Sequence, residues 1–398
     1  MSGPLRVLVG SLAAGALPSG SAAAPPQGTI LLNLGPDHPS RAGLLELRLW
    51  TEDDVVSTAE VVVGAMHRGA EKLFEVRDYR QILMLADRHD WQAPFAGELG
   101  VALTCELLLG LEVPPRATWL RTLLAEHTRI LSHLGFLGYV PFRLGLAART
   151  GAVREQLRDL TQRLTGQRIH PMANRIGGLA YDADDAWLAA EEAAMVGVRE
   201  VAAELLGLVA SAEFAAATSA VAVLHPETVL AYGVSGPAAR ASGVELDLRR
   251  SEPYLAYAEL QPLLVERPGG GRSPAAAGPV VGDAQARFAL LAREVTASAA
   301  VVDACAERLR GEPGPVSVDL GHIVRLPEGE CYLATEAPLG MAGCYLVSRG
   351  EKTPWRLKLR TASFATVAAL EALLPGVAVR ALEPALASMG YVIGDVDR

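Results

Sequence analysis

The chain has no CxxC pair, no long apolar run, few aromatic residues and no excess of positive charge, and each lack removes a class of function. Its four cysteines, Cys105, Cys305, Cys331 and Cys344, are scattered over 398 residues. They are too few for a disulfide scaffold and fit a reducing compartment. No stretch offers eighteen continuous apolar residues, because Asp, Glu or Arg interrupts every long helical candidate, so none reads as a membrane span. A formal charge of -9 spread over both halves argues against a face that neutralises phosphates, so the expected partners are proteins or small molecules and not nucleic acid. Half the residues are hydrophobic but only 5% are aromatic, and alanine-rich runs follow Asp184; both favour packed helices over a sheet-dominated protein.

The sequence divides into five stretches. Residues 1–28 read as a disordered leader rich in small residues; Arg6 and a weak apolar run imitate a signal peptide, but the run is poor in large apolar side chains. Residues 29–66 form a β region: "TILLNLG", "GLLELRLW" and "DVVSTAEVVV" read as strands, the second by its alternation. The loop "GPDHPSRAG" (Gly35–Gly43) joins the first two and places Asp37, His38, Ser40 and Arg41 around Pro39. Residues 67–265 form a central helical domain. Helical spacing starts at Arg68, and further helices are expected at about Gln92–Leu109, Pro115–Leu137, Val153–Leu164 and Asp185–Leu208. Gly, Pro and Ala make 266–282 a flexible loop. Residues 283–398 complete the fold with a helix over Ala284–Arg310, strand-like text in "CYLATEAP", "CYLVSRG" and "WRLKLRTAS", a short helix and "GYVIGDVDR".

Isolated motifs carry little chemistry. His127 and His133 lie about 240° apart around a helix and cannot form a metal-binding pair, and no metal site is expected. "YGVSGP" has Pro237 where a nucleophile elbow needs glycine, so it reads as a turn. "PGGGRS" lacks the lysine and the helix of a phosphate loop. Taken singly, His38 reads as a turn residue, His89 as a solvated histidine, and Arg68 or Arg88 as half of a structural ion pair.

The order of eight blocks changes that reading. "NLGPDHPSRAG", "MHRGAEKLFEVRDYRQI", "DRHDW", "HTRILSHLGFLG", "QRIHPMANRIGG", "YGVSGPAARASGVELDLRR", "EAPLGMAGCYLVSRGEKTPWRLKLRTASF" and "IGDVDR" together resemble the D-type subunit family of proton-translocating NADH-quinone oxidoreductases, respiratory complex I, over about Ile30–Arg398. The wording of "RHDW" and "RGAEKLFEVRDYRQI" is similar to a branch of second copies within that family. The resemblance implies an α+β, mostly helical fold like that of the nickel-iron hydrogenase large subunit, with a small N-terminal β region and a central helical bundle. It implies a peripheral location on the cytoplasmic side of the cell membrane, bound to the B-type iron-sulfur subunit, to the C-type subunit and to membrane-arm subunits. Quinone is then the substrate. FMN and iron-sulfur clusters sit in partner subunits, and this chain binds no cofactor of its own. The lack of CxxC pairs agrees with the metal-free quinone form and not with a hydrogenase.

Residue by residue, the resemblance is uneven. The family's HPSxHG loop keeps its first histidine as His38, but its second is Ala42, and the tyrosine after "DR.D" is Trp91. Alanine donates nothing, and an indole N–H hydrogen-bonds without delivering a proton at any accessible pH. Arg143 stands where the pattern carries an acid, and would repel Arg41 if the two segments met. Arg68 and Arg88 match arginines near the terminal cluster, and His170 matches a histidine whose protonation follows that cluster's redox state. The expected pocket residues are thus His38, Ala42, Arg88, Trp91 and Arg143, with Arg68, Arg88 and His170 beside the cluster. Two alternatives stay open: a non-catalytic scaffold or assembly paralog, and a member of a variant complex whose electron donor is not NADH.

Overall fold

The computed structural model describes residues 5–10, 29–33, 45–146, 148–265 and 282–398. His38, Arg41 and Ala42, with the whole Gly35–Gly43 loop, lie outside the described residues, as does the 266–282 loop up to residue 281. The N-terminal sheet contains β1 (Leu5–Gly10), β2 (Thr29–Asn33), β3 (Leu45–Glu52) and β4 (Val55–Val62) in the order β2-β1-β3-β4. Here the sequence reading is corrected. Leu5–Gly10, assigned above to a disordered leader, is an inner strand, parallel to β2 and antiparallel to β3. The strands on either side of the Gly35–Gly43 loop therefore pair with β1 and not with each other. A short apolar run such as "LRVLVG" has no period that separates a strand from a signal-like segment, and only its distant partners decide.

β3 behaves as its alternation predicts. Leu45, Leu47 and Leu49 are buried, and the outward Glu46 takes a hydrogen bond from Arg6 at 2.6 Å. The hairpin to β4 turns through Asp53 and Asp54, both with positive φ, a conformation that aspartate tolerates better than most residues.

The helices follow. α1 (Ala70–Phe74) and α2 (Tyr79–Ala86) are separate because Asp78 caps the second, its carboxylate accepting from the Arg80 and Gln81 amides at 3.1 and 2.9 Å. α3 (Pro94–Leu109) starts on a proline and ends on Gly110 in the left-handed region. α4 (Pro115–Arg143), α5 (Thr150–Thr165) and α6 (Asp185–Val209) form the bundle with the Ala284–Arg310 helix, which packs along α4 and α6. A second, antiparallel sheet of Gly329–Ala337, Gly340–Ser348 and Arg356–Arg360 packs on α3. A smaller core that includes Phe74, Tyr79, Cys105, Cys344 and Leu357 fills the space around it.

"YGVSGP" is a structural turn: Gly236 has φ +66° and a Cβ there would lie 2.4 Å from Gly340 Cα. His127 and His133 face different partners, Glu191 at 2.6 Å and Glu294 at 2.9 Å. Inside the bundle a network of charges is buried. Glu126 accepts from Arg129, Arg249 and Tyr257, while Arg240 bridges Glu294 and Glu336 at 2.7 and 2.6 Å.

Candidate functional site

Between α2 and α3 the chain turns a corner through Asp87, Arg88, His89, Asp90 and Trp91. Asp90 shapes it, accepting from the backbone N–H of Gln92 at 3.0 Å and of Ala93 at 3.2 Å. The C-terminal "IGDVDR" lies on the corner. His89 Nδ1 is 2.9 Å from Asp395 Oδ1, and the other Asp395 oxygen accepts from the Ser363 amide at 3.1 Å. Gly394 makes the approach possible, since a Cβ there would come within 2.4 Å of the Trp91 ring and 2.5 Å of the His89 carbonyl. Asp397 completes the dock by accepting from the amides of Gly64 and Met66 at 2.8 Å each.

Arg68 lies two residues after Met66 on the exposed loop before α1. His89, read above as a solvated histidine, is in fact buried. Its partner is 306 positions away, so no local pattern could show the pair.

Asp87 is the hub of the corner's outer side. Its side chain is fully buried, with Arg88 Nε 3.2 Å from one carboxylate oxygen. His170 Nδ1 lies 3.1 Å from the Asp87 carbonyl oxygen, so in the neutral ring Nδ1 carries the hydrogen and donates it. Arg88 also reaches Met172 Sδ at 3.7 Å.

Burial pushes the Asp87 carboxyl up to about 6, against the attraction of Arg88 and His89. His170 is lowered, first by burial and then by the Arg88 charge, and is neutral at pH 7. Burial and then the neighbouring Asp395 charge push Asp90 up to about 7. Burial opposes ionisation of Asp395 too, but hydrogen bonds from His89 and Ser363 outweigh it and hold that carboxyl below its usual range. Behind them Glu98 of α3, desolvated and taking the Asn174 amide at 2.8 Å, is pushed up to about 8.

The structure thus brings Arg88, Trp91 and His170 to one corner and places Arg68 on an adjoining loop. Arg143 is elsewhere. It caps the far end of α4, pairs with Glu383 at 2.6 Å and borders a cavity of about 500 Å³ that Trp91 does not line. Arg41, whose charge would repel Arg143 if the two segments met, lies outside the described residues, and Arg143 has its own counter-charge in Glu383. Sequence reasoning missed Asp87, His89, Asp90, Glu98 and Asp395. The blocks "DRHDW" and "IGDVDR" contain four of the five, and nothing in their spacing says that they meet.

Among the described residues no three His, Cys, Asp or Glu side chains are grouped to hold a metal, and no helix is long and apolar enough to cross a membrane. The family description "Respiratory-chain NADH dehydrogenase, 49 Kd subunit" matches residues 147–324 and 321–398. The second D-type subunit of NADH-quinone oxidoreductase from Salinispora tropica is 49% identical over 373 residues, covering 93% of each chain. The D-type subunit of NADH-quinone oxidoreductase from Bacillus cereus is 33% identical, covering 92% of this chain and 98% of its own. In three dimensions the chain is similar to one in the membrane-bound sulfane sulfur reductase, an archaeal respiratory membrane complex, with a TM-score of 0.82, 29% identity and coverage of 92% and 97%. The α+β, mostly helical fold, the ordered blocks and these matches together show that the chain belongs to the family of D-type (49 kDa) subunits of NADH-quinone oxidoreductase, an oxidoreductase complex.

Proposed function

We propose that this chain forms one wall of a quinone-reducing pocket in a respiratory complex, at the cytoplasmic side of the membrane, beside an iron-sulfur cluster held by a neighbouring subunit. The observation that carries the reading is the corner itself: Arg88 and His170 meet at the buried Asp87, with the buried Asp90 and Trp91 on the same turn of chain. Arg88 supplies fixed positive charge, which favours a reduced, more negative neighbour. His170 is held neutral with one defined tautomer, ready to gain a proton when negative charge arrives nearby. Quinone reduction consumes two protons with its two electrons, and Asp87 and Asp90 are the groups of the corner able to exchange protons between about pH 6 and 7. The B-type and C-type subunits and the membrane arm are the partners, and FMN and the clusters lie outside this chain.

A second reading, a scaffold role without turnover, is favoured by Ala42 and Trp91, which remove two proton donors of the family pattern. Quinone reductase activity of the native membrane complex separates the two. The first reading expects wild-type activity that quinone-site inhibitors abolish. An assembled complex without activity, restored in part by Ala42→His with Trp91→Tyr, leaves the scaffold reading. Whether the donor is NADH is read from flavin content and NADH oxidation in the same preparation.

A further inference from the structure

Beside Trp91 a narrow cleft of about 40 Å³ runs between α4, α5 and the segment after α5, lined by Trp91, Gln92, Thr128, Arg154, Arg158 and Arg168 among others, with no acidic side chain among the described residues of its wall. The three arginines differ. Arg158 pairs with Glu155 at 2.5 Å, and Arg168 pairs with Glu155 and Asp159. Arg154 has no carboxylate within ion-pair distance among the described residues. Its Nε is buried without an acceptor, and among the described residues its one hydrogen bond, to Gln92 Oε1, is 3.3 Å long. An N–H···O bond is normally about 2.7–3.2 Å long, so the neutral Gln92 oxygen satisfies the guanidinium poorly. α4 leaves room for the pair. A Cβ at Gly135 would lie 3.1 Å from Arg154 Nη2 and 3.2 Å from Gln92 Oε1.

An arginine withdrawn from water with no ion-paired carboxylate among the described residues, and only the more distant attraction of Glu155, is costly unless something else supplies a closer counter-charge. Burial lowers the Arg154 guanidinium only to about 10, so it stays charged at neutral pH. The cavity admits more than one water, and its wall offers several donors to a ligand oxygen. We propose that the Trp91–Arg154 cleft binds a negatively charged oxygen, with Arg154 as its principal donor. Two ligands carry that chemistry: a small free carboxylate, or the headgroup oxygen of a quinone as it is reduced. The second source rests on the function proposed above; the first does not.

The test uses the purified intact complex carrying this chain as wild type, R154K or R154M. Potassium formate is the probe, compared at equal ionic strength with potassium chloride, whose anion carries no oxygen. Formate is expected to raise the melting temperature of wild type and R154K but not of R154M, and R154M in chloride is expected to melt no lower than wild type, because it removes an unpaired charge. In the same preparations R154M is expected to raise the quinone KM about tenfold or more, with transfer to a water-soluble acceptor unchanged.

A lost formate response with an unchanged quinone KM assigns the cleft to a free anion. A complex that reduces no quinone but keeps the formate response of wild type defeats the proposed function and leaves the site standing. Equal formate responses in wild type and R154M, with equal quinone KM, overturn the site. Should R154M fail to assemble, absence of any formate effect on wild type and R154K overturns it as well.

Discussion

Two sets of buried ionisable groups lie in this molecule, and they are built in opposite ways. In the bundle, burial opposes ionisation of Glu126 and Asp247, but Arg129 and Arg249 beside the first and Arg249 and Arg240 beside the second hold both down at about 2. At the corner between α2 and α3, Asp87, Asp90 and Glu98 are buried with too little positive charge to compensate, and they rise to about 6, 7 and 8. One network is frozen in its charge state across the physiological range. The other titrates within it. Low dielectric thus serves the bundle as a lock and the corner as a means of placing proton exchange near neutral pH, next to the residues that the family pattern associates with quinone.

The largest effect should come from breaking the lock. Arg240→Met leaves Glu336 buried without its ion pair and Glu294 with only His133 and the more distant Arg249, a loss of about 3–5 kcal/mol, read as a fall in melting temperature or failure to recover the assembled complex. The corner should respond with the opposite sign. The Asp87 carboxyl has a higher pKa folded, about 6, than its ordinary 3.8, so the folded state binds more protons and stability falls as pH rises between these values. Asp87→Asn removes that slope and is expected to stabilise by about 1–2 kcal/mol above pH 6, with little gain at pH 4, measured by melting temperature against pH.

A smaller shift tests the link between Arg88 and His170. Arg88→Gln removes one of the two causes that lower the imidazole, so His170 should titrate at a higher pH, seen as an alkaline displacement of that limb in the quinone-reductase pH profile. The smallest effect is expected at Arg143→Ala. Its pair with Glu383 is solvent-exposed and is worth about 0–1 kcal/mol, and quinone KM should change by less than about twofold.

How much of this could be read from the sequence differs between the same two regions. The bundle helices were legible because their apolar positions recur at helical spacing and Pro115 stands in a first turn. The corner was legible only as "DRHDW", a block with a family likeness. That His89 is buried, that Asp395 binds it and that Gly394 yields space to Trp91 are consequences of packing a segment some 300 residues away, which no periodicity encodes. β1 was missed for a related reason: its partners in the sheet are non-local. Arg154 stands at an ordinary position of an amphipathic helix, and what sets it apart is visible only in the packing: a buried Nε with no acceptor and no ion-paired carboxylate among the described residues.

The proposed function makes the Asp87–Trp91 corner the place where this chain meets quinone. The most direct measurement compares quinone reduction with transfer to a water-soluble acceptor in the intact complex carrying Trp91→Ala. The proposed function predicts that kcat/KM for quinone falls about tenfold or more while the soluble acceptor is reduced as before; equal rates with both acceptors, in a complex of normal composition, would contradict it.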